Sequence, residues 1–171
     1  MDFIKKIFLI SLFILIISTT KTAGAITYSE LKRYVFASYT PANFSGKILY
    51  IFEDPLCPYC HKLNEHIVKY SRESGYKINL IFKIVHGERA FNYAVSFVCG
   101  HRIIKNANFK KYIDLDYRGN YCSYGKDLVS YDEEISNILG VTKTPSLISN
   151  RGFRESGLSL SAIKRGMGII K

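Results

Sequence analysis

The 171-residue sequence predicts an α/β domain: a central mixed sheet of four strands flanked by helices, with a helical insertion before the last strand pair. Three observations carry that expectation. Two short, densely apolar runs, Lys47–Phe52 and Tyr76–Val85, bracket a segment of helical composition. That is the pattern of a βαβ unit, with parallel strands and a right-handed crossover. Two later runs meet at Asn150-Arg151-Gly152 and read as an antiparallel hairpin around a tight turn. The intervening helical segments are enough to cover both faces of such a sheet.

Ahead of the domain, Met1–Lys6 carries two lysines and Ile7–Ser18 is an unbroken run of 12 apolar residues and serines. A small polar stretch then closes on Ala23-Gly24-Ala25. A charged start, a short apolar middle and an A-x-A end predict a secretory signal peptide over 1–25, cleaved after Ala25. The apolar run falls short of the roughly 18–20 residues of a spanning helix, although an uncleaved anchor is the other reading. Residues 26–171 are then one domain in an extracytoplasmic, periplasmic setting. The formal charge of +10 becomes +8 once Asp2, Lys5, Lys6 and Lys21 are removed. Such a surface suits anionic partners or an anionic membrane face, or is simply a basic solvated surface. No Lys/Arg-rich block stands out, and export argues against nucleic acid as a partner.

Within the domain, Thr27–Tyr39 places Leu31, Tyr34, Val35 and Tyr39 near a helical period, and Thr40-Pro41 and Ser45-Gly46 punctuate a turn. Lys47–Phe52 is the first strand and ends at Glu53-Asp54-Pro55. His61–Ser71 is helical up to the break at Ser74-Gly75. Tyr76–Val85 is the second strand, and Glu88–Ile104 is a helix containing Cys99. Lys105–Leu128 reads as polar, tyrosine-rich and irregular, with a short helix near Phe109–Ile113. Ser130-Tyr131-Asp132-Glu133 has the form of a capping box opening the next helix, which stops at Gly140. Thr144–Ile148 begins the third strand, Phe153 opens the fourth, and Leu160–Ile170 closes the domain as a helix weakened by Gly166 and Gly168.

All four cysteines lie in this domain: Cys57, Cys60, Cys99 and Cys122. An even count in an exported chain suits an oxidising compartment. Cys57-Pro58-Tyr59-Cys60 sits where a buried strand hands over to a helix. Proline is favoured at the first helical position, so Pro58 makes Cys57 the N-cap, with its sulfur at the positive end of the helix. A thiol so placed can drop from about 8.5 into the range of roughly 3.5–7.5. Cys60 lies one turn on. The arrangement predicts an exposed, attacking Cys57 and a more buried, resolving Cys60. His61 either adds positive charge beside the pair or is an ordinary first-turn polar residue. A zinc site wants a second tight pair, which Cys99 and Cys122 do not make, so no metal is expected. An inert disulfide fits poorly with Pro58 and the strand-to-helix junction.

The segment Tyr50-Ile-Phe-Glu-Asp-Pro-Leu-Cys-Pro-Tyr-Cys-His-Lys-Leu63 resembles the active-site region of DsbC/DsbG-type periplasmic disulfide isomerases, which have a thioredoxin-like fold. A second match, Gly140-Val-Thr-Lys-Thr-Pro-Ser-Leu-Ile148, resembles that family's G-V-x-x-T-P segment. The resemblance runs from Lys47 to about Lys171. It implies a cis Thr144–Pro145 peptide facing Cys57, with Thr144, Pro145, Pro58 and Tyr59 around a substrate strand. Taken alone, Pro145 is a simple strand-start proline. The resemblance also implies a non-catalytic Cys99–Cys122 disulfide, with a second redox pair as the alternative. Only Ile26–Gly46 precedes the first strand, too short for that family's N-terminal dimerisation domain. Single-domain relatives, such as those of conjugative transfer systems, are the better comparison.

The expectation is an exported thiol–disulfide oxidoreductase that reduces or isomerises disulfides in envelope or secreted proteins. It would use no cofactor beyond its own dithiol, and a membrane redox partner would reduce it. A DsbA-like oxidase and a non-enzymatic chaperone or assembly subunit of an envelope machine are the competing readings.

Overall fold

The structure, a computed structural model, describes residues 27–101, 104–105 and 121–171. The predicted signal peptide and the short helix expected near Phe109–Ile113 lie outside the described residues. A four-residue helix α1 (Tyr28–Leu31) runs into a 3-10 turn and then strand β1 (Ala37–Tyr39). There follow β2 (Lys47–Glu53), α2 (Pro58–Ser74), β3 (Tyr76–Phe82), α3 (Gly87–Gly100) and β4 (Ile104–Lys105). The chain continues through α4 (Ser123–Ile138), β5 (Ser146–Ser149), β6 (Arg154–Ser156) and α5 (Leu160–Gly166).

These strands make one mixed sheet in the order β4-β1-β3-β2-β5-β6. As expected, β2 and β3 are parallel, and β5 and β6 form an antiparallel hairpin, with β5 also antiparallel to β2. The sheet has six strands rather than four because β1 and β4 extend its edge. Thr27–Tyr39 is therefore not one helix. Phe36 is buried and stacks on Phe82 at 3.7 Å between ring centroids, and its N–H donates to the Leu80 carbonyl, which draws the segment into the sheet. The helix read over Glu88–Ile104 ends at Gly100, leaving Ile104–Lys105 to pair with β1.

Residue alternation along β2 shows why its sequence is continuously apolar. Leu49 and Ile51 face a core shared with Leu63 and Ile67 of α2, Val95 and Phe97 of α3, and Ile163 of α5. Tyr50 and Phe52 face the other side, with Leu31, Val35, Ile135, Val141 and Ile148. A strand covered on both faces favours apolar residues at successive positions, as over 48–52.

The segment read as irregular up to Leu128 is in fact helical from Ser123. Cys122 is its N-cap, the sulfur accepting from the Gly125 N–H at 3.3 Å. The Ser130–Glu133 motif thus lies inside α4 and caps nothing. Gly125 lets α4 close on α3: a Cβ there would sit 2.6 Å from the Cys99 sulfur and 2.8 Å from the Val95 carbonyl. One turn and more further on, α4 grips the end of β3. Asp132 accepts from the Phe82 N–H at 3.0 Å, Glu133 accepts from the Ile84 N–H and pairs with Lys83 at 3.2 Å, and Ser136 reaches the Phe82 carbonyl. Those carboxylates explain why β3 stops at Phe82 rather than at Val85. At the far end, α5 is shorter than read, and Gly168 leaves it at φ 72°.

Asp132 is fully buried, and that burial holds its carboxyl well above the usual carboxylate range; nearby Glu133 pushes the same way. A carboxyl that binds its proton more tightly when folded contributes stability that is fully present below the unfolded pKa of about 3.9 and is lost as pH rises through the folded value. Asp132→Asn keeps the acceptor for Phe82 and removes the ionisation. The variant is expected to gain on the parent as pH rises above about 4. Urea midpoints measured from pH 4 to 8 should therefore diverge, and parallel curves would refute the assignment.

Candidate active site

The carboxyl ends of β2 and β3 carry the candidate site. Leaving β2, the chain makes a turn in which the Cys57 N–H donates to the Asp54 carbonyl at 3.0 Å, and α2 then begins. Cys57 has extended backbone, Pro58 occupies the first turn, and the Cys60 and His61 N–H groups both donate to the Cys57 carbonyl. This is the N-cap geometry the sequence predicts, with the Cys57 sulfur at a helix start where N–H groups lack helical partners.

One expectation fails: Cys57 is not exposed. Its residue surface is 2% accessible, because its thiol lies against the Thr144 backbone and donates to that carbonyl at 3.5 Å. The exposed members of the motif are Pro58 and Tyr59, the latter 60% accessible. Cys60 is equally buried, and both residues are thiols in this structure. Desolvation raises the Cys60 thiol far above its ordinary value, the charge of Glu53 adds to the shift, and a hydrogen bond with Cys57 acts the same way. A hydrogen bond from the Asp54 backbone opposes them only in part.

The Thr144–Pro145 peptide is cis, and the Thr144 carbonyl is the group that meets Cys57. Thr144 itself is buried, and among the described residues its hydroxyl has no hydrogen-bond partner. The Pro145 carbonyl is already taken, accepting from the Gly157 N–H at 2.7 Å. His61 is less enigmatic than its sequence: its Nε2 is 2.9 Å from the Pro55 carbonyl, so the ring ties α2 back to the preceding turn. Cys99 and Cys122 are joined to each other, between α3 and α4, and take no part in this cluster.

Three site residues escaped the sequence reading. Glu53, which in the sequence reads only as a strand terminator, is fully buried at the end of β2. Asp54 is also buried. Its carboxylate accepts from Leu56, Val85 and His86 N–H groups at 2.7, 2.7 and 2.9 Å and lies 3.1 Å from His86 Nδ1, so it locks the turn before Cys57 to the β3–α3 loop. The Asp-Pro dipeptide is the available signal, since aspartate before proline favours a side-chain-stabilised turn. Asn64, one turn after Cys60 on the helix face that also carries Leu63 and Ile67, donates to Glu53 at 3.1 Å. A lone polar residue on an apolar stripe is what marks it.

No protein-family model and no curated protein sequence matches the chain. Solved structures do. A disulfide interchange protein from Neisseria gonorrhoeae aligns with a TM-score of 0.61 at 18% identity, covering 80% of this chain and 95% of that one. A periplasmic thioredoxin-like protein from Salmonella enterica serovar Typhimurium gives 0.58 at 14% identity, covering 85% and 99%. Oxidised BdbD from Bacillus subtilis gives 0.57 at 13%, covering 80% and 92%. At these identities the likeness speaks to architecture, and it agrees with the sheet order and helix placement described above: the chain has a thioredoxin-like fold.

Proposed function

We propose that the chain is an exported thiol–disulfide oxidoreductase that reduces or isomerises disulfides in envelope or secreted proteins through Cys57 and Cys60. One observation carries this reading: a helix-capping Cys57 thiol set on the Thr144 carbonyl, with Cys60 beneath it held as a thiol next to a buried acid. The attacking group is the Cys57 sulfur, which reacts as its thiolate. Attack on a client disulfide S–S bond gives a Cys57–client mixed disulfide and releases a client thiolate. Cys60 then loses its proton, attacks the Cys57 sulfur, and leaves a Cys57–Cys60 disulfide and a reduced client. In this reading Glu53, whose charge acts on Cys60, receives the Cys60 proton, and Asn64 orients it by donating to its carboxylate. The cycle draws two electrons, which a membrane reductase would return. Thioredoxin-like structural neighbours described as interchange and periplasmic proteins lend support, as does the Thr144-Pro145 segment.

Equilibration with glutathione buffers, followed by alkylation and mass measurement of the Cys57–Cys60 peptide, tests the proposal. A single two-electron transition at a potential nearer thioredoxin's, about −270 mV, than the roughly −120 mV of a strong oxidant is expected. A value at the oxidising end would make the protein an oxidase. Failure of Cys57 and Cys60 to form a disulfide at all would end the redox reading.

A further inference from the structure

We infer that the end of the sheet opposite Cys57 is a docking surface for an anionic phospholipid bilayer. The strand β2 separates the two ends by about 20 Å, seven residues at about 3.3 Å each. The loop joining β1 to β2 lies at this far end and carries Phe44, which is 43% exposed. Its exposure is built rather than incidental. On one side Asn43 Nδ2 donates to the Arg72 carbonyl at 2.8 Å, and on the other the Ser45 N–H donates to the Gly75 carbonyl at 3.2 Å. The loop is thus fastened to the end of α2 on both sides of a phenyl ring that stays outside.

Four cations lie at the same end of the sheet. Lys47 Nζ lies 5.0 Å over the Tyr76 ring, and the two residues are register partners at the start of β2 and β3. Arg72 lies over Tyr39 and donates to its hydroxyl at 2.8 Å. Lys164 lies 5.3 Å over Tyr70. Exposed Arg151 occupies the β5–β6 turn, which Asn150 ties to the Gly46 carbonyl at 3.1 Å. Among the described residues the ion pair at this end is Lys69 with Glu73. Tyrosine rings, rather than carboxylates, hold Lys47, Arg72 and Lys164 in place, and their charge remains available to an outside anion. A purely charged polyanion would satisfy the cations but offer nothing to Phe44. A bilayer offers headgroup phosphates to the cations and acyl chains to the ring. Docked this way, the molecule presents Cys57 away from the membrane, toward exported clients. The geometry stands independently of the redox chemistry and draws on the proposed function only for export.

The test is co-sedimentation of the protein, as purified from exporting cells, with vesicles of equal parts phosphatidylglycerol and phosphatidylcholine, against phosphatidylcholine alone. Phosphatidylglycerol-dependent, salt-reversible binding is expected. Two charge reversals, Lys47→Glu with Arg151→Glu, should weaken it more than about a hundredfold, at roughly fivefold per unit of charge. Phe44→Ser alone should weaken it severalfold, and as an exposed position it leaves the fold intact. Both variants should keep the parent's melting temperature and disulfide-exchange rate. The proposal is overturned if the parent shows no preference for phosphatidylglycerol, or if both variants bind as the parent does. It is equally overturned if soluble polyglutamate displaces the protein from vesicles at matched charge and Phe44→Ser has no effect, because the occupant would then be an acidic polymer.

Discussion

Cys57→Ser is expected to abolish disulfide exchange, with insulin reduction falling by a factor on the order of 10³ or more. A serine hydroxyl at the same helix start keeps the hydrogen bond to the Thr144 carbonyl but supplies no anion near neutral pH, so the attacking group is gone while the fold is not. Cys60→Ser separates the two halves of the cycle. Attack by Cys57 survives, the resolving thiol does not, and Cys57 stays joined to its client as a mixed disulfide visible on a non-reducing gel. The burial of Cys60 and the charge of Glu53 predict the pH dependence of the second half-reaction. Because both raise the Cys60 thiol, the thiol is the stable form at neutral pH, and resolution must accelerate as pH rises. First-order decay of a preformed Cys57–glutathione adduct, followed from pH 6 to 9, reads this directly. A pH-independent decay would remove Cys60 from the resolving step. Absence of insulin reduction by the parent itself would instead favour a protein that binds clients without chemistry.

The parts of this arrangement that were legible in the sequence are those fixed by local rules. Pro58 after a strand makes Cys57 an N-cap. Gly75 at φ 73° ends α2 where the serine-glycine pair suggests, since an L side chain is strained there. The βαβ pairing follows from two apolar runs and handedness. What escaped is set by contacts across the chain. Phe36 leaves a helical pattern because Phe82 and Phe97 offer it a ring cluster. Glu133 looks like the end of a capping box because the sequence does not show that Ile84 and Lys83 lie beside it. Cys57 looked exposed because local rules place its sulfur at a helix end, and only the fold brings the Thr144 carbonyl over it, 87 positions away in sequence. The acids follow the same logic. Glu53 and Asp54 stop a strand in any local reading, yet their carboxylates are buried and answer to Asn64 and His86.

Breaking the Cys99–Cys122 cross-link should be the costliest change to stability that leaves the Cys57 site untouched. The two residues are 23 positions apart, and closing a loop of that size stabilises by about 3.4 kcal/mol in the chain-entropy model. Against the roughly 5–15 kcal/mol of a typical domain this is a large fraction, and for a domain of this size it corresponds to a fall in Tm of about 10 °C. The variant should be Cys99→Ala with Cys122→Ser. Serine is a good N-cap, so α4 keeps an acceptor for the Gly125 N–H, and the measured loss reports the cross-link rather than the cap. Dithiothreitol supplies the matching control: it should lower the parent's Tm by a similar amount and leave the double variant unchanged. Insulin reduction at 25 °C should be retained, because a 14-residue α3 holds Cys99 about 20 Å along the helix from the β3–α3 loop at the Cys57 end. If the double variant instead keeps its Tm and loses exchange activity, the pair is a second redox centre passing electrons to the first, and α4 is held to α3 by packing at Gly125 alone.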